Sequence, residues 1–138
     1  VFPNKKFATY AGFGMNFETY EGFQVFYYDD DKDFKIQYIA GKILYEDSIA
    51  ECYKKMNEIV AQLKKTLPNT KEDDQGILKN RKDKSGKSTT TTIYYNFNSG
   101  DRIHITCTDW SKKMKYTDNL RVDLISKELW IWIQTKAY

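Results

Sequence analysis

Histidine occurs once in this chain, and cysteine and proline twice each. These shortages exclude a good deal. A zinc centre built from nitrogen and sulfur needs three or four ligands, and His104, Cys52 and Cys107 are all that the chain has. No metal site and no cofactor is therefore expected. No apolar run approaches the roughly 20 residues that span a bilayer as a helix, so no membrane span is expected. Charge of one sign is also lacking, since 22 basic residues face 19 acidic ones for a net charge of +3. That balance does not call for nucleic acid as a partner.

Catalytic motifs are missing as well. There is no G-x-S-x-G and no local Ser–His–Asp pattern. The stretch 83–89, DKSGKST, has the end of a phosphate loop but carries Arg81 where the first glycine belongs, and a threonine-rich strand follows it instead of a helix. In 29–34, DDDKDF, Asp29, Asp31 and Asp33 alternate as in a calcium loop. Phe34 and Ala40 occupy the positions where an EF-hand needs Gly and Glu, so a hairpin loop is the expectation. Asp101, Asp109 and Asp123 are candidate carboxylates for hydrolysis, but no spacing singles out a pair.

What the chain does have is aromatic and β-branched material. Aromatics make up 16% of its 138 residues, with 11 Tyr, 8 Phe and 3 Trp, a composition that favours strands. Segments 22–28, 34–40, 89–97, 101–110, 119–125 and 128–135 read as strands, and 7–17 as a first strand interrupted near Gly12 and Gly14. Residues 98–100 predict a hairpin between 89–97 and 101–110. Ser126 and Lys127 predict a second hairpin, between 119–125 and 128–135. The helix signal is clear at 48–67. Ser48 and Glu51 have capping-box spacing. Ile49, Cys52, Tyr53, Met56, Ile59, Val60 and Leu63 form one apolar stripe. Residues 69–88 are polar and charged and read as a long mobile loop, with a brief strand near Ile77. The expected fold is a single α+β domain over 1–138, with an antiparallel sheet of about six strands and one long amphipathic helix packed on one face.

Alternation then assigns the faces. His104 and Cys107 lie on opposite sides of their strand, which rules out a local Cys–His dyad. Cys107 shares its side with Ile103 and Ile105, and Cys52 lies on the helix stripe. A Cys52–Cys107 disulfide joining helix to sheet is therefore expected. The core side is completed by Phe23, Val25, Tyr27, Phe34, Ile36 and Tyr38, and by the apolar residues of the later strands. The other side collects Phe26, Tyr28, Tyr94, His104, Trp130 and Trp132, with Arg102 and Arg121 among them. Two expectations stand for this face: coverage by residues 1–20, the long loop or a second sheet, or, if it is left open, a binding surface, since aromatics beside arginines have that composition.

The chain begins VFPNKK, without Met. With a disulfide in prospect, that suggests a secreted or periplasmic protein whose signal peptide has been removed. The expected function is non-catalytic binding of another protein, of the inhibitor, immunity or accessory-subunit type. Carbohydrate or small-ligand binding on the aromatic face is the first alternative, and a hydrolase with an unrecognised carboxylate site the second.

Overall fold

A computed structural model describes residues 6–13, 17–46 and 48–136. It contains strands β1 (Phe7–Phe13), β2 (Gly22–Tyr28), β3 (Ile36–Tyr45), β4 (Lys71–Lys79), β5 (Thr89–Asn96), β6 (Arg102–Asp109) and β7 (Asp118–Ile125). Helix α1 (Ile49–Thr66) joins β3 to β4, and α2 (Lys127–Thr135) follows β7. The strands form one antiparallel sheet in the order β1-β2-β3-β7-β6-β5-β4. The class is α+β, with seven strands among the described residues where about six were expected, and two α-helices where one was expected.

Helix α1 packs its stripe on one side of the sheet. Cys52, Met56 and Val60 are buried against Ile93, Tyr95, Ile105, Cys107 and Leu120. The expected disulfide is present, with the Cα atoms of Cys52 and Cys107 6.1 Å apart. The capping box is not. The Ser48 side chain makes no cap hydrogen bond, and the Glu51 carboxylate lies 4.0 Å from Lys54 instead. The helix forms without it because burial of the stripe, more than capping, carries a helix inside a protein.

Three expectations need correction. Segment 128–135 is a helix rather than a strand. Its apolar run L-W-I-W-I fits either period, and topology decides between them. Both edges of β7 are occupied, by β3 and β6, so no hairpin partner can pair with it. The chain turns out of the sheet at Ser126, whose hydroxyl accepts from Leu129 N (3.1 Å) and caps α2.

Within 69–88, which was expected to be a loop with a brief strand near Ile77, the strand runs the full length of β4; it pairs with β5 and bulges between Asp74 and Ile77, where Gly76 takes a φ of +64°. A strand exposed along most of its length has no apolar alternation to reveal it. Its charges protect the sheet edge from further pairing.

The third correction is to the faces of β3, which runs to Tyr45. Tyr38 and Ala40 lie on the α2 side, whereas Ile39, Gly41 and Ile43 face α1. Phe34, at φ +49°, and Ile36 are exposed rather than buried. The register shift between β2 and β3 at Phe26 and Tyr27 puts the two strands out of simple step. Gly41 is required where it is, because a Cβ there would lie 2.6 Å from the Tyr20 ring.

Candidate functional site

The aromatic face of the sheet is covered in part by α2, an element other than residues 1–20, the long loop or a second sheet. Leu129 and Trp132 are buried with Phe7, Tyr38, Ala40 and Ile125. Trp132 is only 4% exposed and meets the Phe7 ring edge-on at 4.8 Å. Phe7 also stacks on Tyr28 at 4.6 Å, and Phe26 stacks on Tyr38 at 4.8 Å. Trp132, Phe26 and Tyr28 are thus built into a second, aromatic core. Burial pushes the Tyr38 hydroxyl up to about 12, with the Asp123 carboxylate adding to the rise against the lowering effect of Arg121.

The remaining predicted residues, Tyr94, His104, Arg102, Arg121 and Trp130, gather around Asp123. The strands are in register, so that Tyr94 faces His104 and His104 faces Asp123. His104 Nδ1 is 2.9 Å from Asp123 Oδ1, and Arg121 Nε is 3.1 Å from Oδ2. The His104 ring lies 4.5 Å from Tyr94 and 5.4 Å from Trp130. The Arg102 guanidinium covers the Trp130 ring at 4.7 Å. His104 Nε2 is buried without a hydrogen-bond partner among the described residues. The pair has the parts of a His–Asp dyad, and Tyr94 and Trp130 pack on its imidazole, which is buried. The arrangement ties α2 to the sheet.

Of the other candidate carboxylates, Asp101 has a structural partner set. Asp101 accepts from Lys127 N (2.8 Å) and Ser99 Oγ (2.8 Å), holding the start of α2. Asp109 is pushed up by burial and by the charge of Asp118, but Asp118 Oδ1 accepts from Trp110 N and belongs to the turn. In the acidic loop, Asp31 accepts from Asp33 N and Lys35 N, a local turn. Among the described residues, no three His, Cys, Asp or Glu are placed to hold a metal ion.

An open apolar surface lies instead on the α1 side. Val25, Ile39, Leu124 and Ile103 form one row across β2, β3, β7 and β6. Ile39 and Leu124 remain 45% and 44% exposed, and Phe17 beside them 48%. Phe17, Phe23, Ile39, Leu124, Ile59 and Leu63 line a groove of about 450 Å³ between α1 and the sheet. A second concavity of about 600 Å³ shares Ile39 and Leu124 and continues to Ile36 and Ile131. Sequence reasoning missed this surface because alternation marks Leu124 and Val25 as inward-facing without showing how far α1 reaches. Among the described residues, no helix is long and apolar enough to cross a membrane. The sequence matches no family model, no curated protein and no solved structure.

Proposed function

We propose that this protein is a non-catalytic binding domain of an oxidising, extracytoplasmic compartment, and that it acts by docking another protein against the α1 side of its sheet. The observation that carries this reading is the apolar surface that begins on the α1 side at Phe17, Ile39 and Leu124 and runs past the end of β7 to Ile36 and to Ile131 of α2, each about half exposed. Apolar ground of this extent, bordered by Lys35, Lys127 and Glu128, has the make-up of an interface core with a charged rim. The disulfide supports the compartment, since such bonds persist where thiols are not kept reduced. The covered aromatic face leaves little flat ring surface for a sugar, which favours a protein partner over a neutral glycan.

A photo-crosslinking residue at position 124 tests the reading, with one at the exposed Lys54 as control. The expected result is one partner captured at fixed stoichiometry from position 124, no capture from 54, and loss of the complex on Leu124→Asp. Equal capture at both positions, or a complex indifferent to Leu124→Asp, would overturn it.

A further inference from the structure

On the α2 side of the sheet, beyond the reach of α2, lies a concavity of about 560 Å³ whose character is quite different. Its floor is the buried polar trio Thr106, Thr108 and Asn119. Three cations from separate parts of the chain meet around it: Lys42 of β3, Arg121 of β7 and Lys82 of the β4–β5 turn. The residues lining it include no Asp or Glu.

Lys42 and Arg121 are direct cross-strand partners. Like charges in that position destabilise a sheet. Burial, then the charges of Arg121 and Lys82, hold the Lys42 ammonium below its ordinary range. Among the described residues neither Lys42 nor Lys82 pairs with a carboxylate, and Arg121 meets Asp123 through Nε.

The turn that carries Lys82 is firmly built. Lys82 N donates to Asn80 Oδ1 (3.0 Å), and Asn80 Nδ2 to Thr90 Oγ1 (3.0 Å). The next residue, Asp83, is buried and accepts from the hydroxyls of Ser85, Ser88 and Ser111. At one wall Trp110 and Tyr116 meet edge to face at 4.9 Å.

Converging positive charge, neutral donors beneath it and an aromatic wall are the parts that hold a ring bearing a strong anion. The volume lies within the usual range of about 300–1,000 Å³ for small-ligand sites.

We infer that this concavity is a binding site for a small saccharide carrying a phosphate or sulfate ester, with Lys42, Lys82 and Arg121 on the ester and Trp110 and Tyr116 beside the ring. The site is separate from the apolar docking surface, and the inference does not depend on that reading.

The experiment is calorimetric titration of the intact, oxidised protein at low salt with glucose-6-phosphate, glucose-6-sulfate and glucose, with tryptophan fluorescence as a second readout. At least one ester is expected to bind and glucose is not; the stronger of the two identifies the anion. Lys82→Gln, in an exposed turn, and Lys42→Gln should each weaken binding by about tenfold, the loss expected for a charge-assisted hydrogen bond. Lys54→Gln, on the far side of α1, should leave it unchanged. The inference is overturned if neither ester binds at millimolar concentration. It is equally overturned if both site variants bind with the affinity of the unaltered protein, with circular dichroism showing that they are folded.

Discussion

The two faces of this sheet are closed by two different devices. On one side an 18-residue helix lays an apolar stripe on the strands and is bonded to β6 through Cys52 and Cys107. On the other a nine-residue helix buries Leu129 and Trp132 and is held by polar ties: Ser126 at its cap, Asp101 on Lys127 N, and the Gln37–Ser126 hydrogen bond of 2.7 Å. The first device tolerates incomplete coverage, because a covalent bond fixes the helix even where Ile39 and Leu124 remain open. The second depends on noncovalent contacts alone: packing, hydrogen bonds, the Lys6–Glu128 ion pair and Arg102 over the Trp130 ring. The α1 side can therefore present an apolar surface to a partner without loosening, whereas the part of the other side that lies beneath α2 has to be closed to hold.

The largest test of this difference is removal of the disulfide. Cys52 and Cys107 are 55 residues apart, and on the chain-entropy account replacing both by Ala costs about 4 kcal/mol. Urea denaturation of the double variant should show that loss, followed by exposure of the α1 core. A loss under 1 kcal/mol, to order of magnitude, would mean that stripe burial alone holds α1. Next comes Trp132→Ala, which empties the aromatic core under α2 and should cost about 3 kcal/mol. Trp130→Ala should cost clearly less, since Trp130 is partly exposed and packs mainly on His104 and Arg102. Equal losses would show that α2 is not seated through Trp132.

The two helix caps sharpen the contrast at a smaller scale. Ser126 Oγ accepts from Leu129 N, whereas the Ser48 side chain makes no cap bond. Ser126→Ala should then cost about 1 kcal/mol, the usual worth of a cap, and Ser48→Ala close to nothing. The capping-box spacing at Ser48 and Glu51 points the other way, so this pair of variants separates sequence signal from structure.

That case marks where the fold was legible. The disulfide could be read because two periods, 3.6 on α1 and 2 on β6, independently turned Cys52 and Cys107 inward. The β5–β6 hairpin could be read because Gly100, at φ +93°, sits in a turn between two clear strands. Strand β4 could be read only as a brief strand near Ile77, since it is exposed along most of its length and owes its place to the open edge of β5. For α2 the run 129–133 suits either element, and only the closed edges of β7 exclude a strand. In the candidate surfaces, Tyr94 and Trp130 pack on His104 and Arg102 on Trp130, while Asp123 joins His104 to Arg121. Its partnership with His104 requires the β6–β7 register, which no single segment encodes. The open row through Ile39 and Leu124 depends on where α1 ends over the sheet, again a tertiary fact.

Acid provides the last and finest separation of the two sides. Asp101 is held below the usual carboxylate range, chiefly by the backbone N–H of Lys127 and then by the Ser99 hydroxyl. A carboxyl with a depressed native pKa binds fewer protons folded than unfolded near its ordinary value of about 3.9. Its contribution is complete above that value and is lost as pH falls through the native pKa. The bond that holds α1 does not titrate. Hydrogen exchange, corrected for intrinsic rates, should therefore show α2 amides losing protection before α1 amides as pH falls from about 5 to about 2. Asp101→Asn should weaken α2 at neutral pH and remove part of this acid response. The Asp83 knot, depressed by its serine hydroxyls, loosens in the same window, but it anchors the β4–β5 turn and leaves α2 untouched. If the amides of both helices lose protection together, and Asp101→Asn changes neither, then the two sides of the sheet form one cooperative unit and the contrast between staple and polar ties fails.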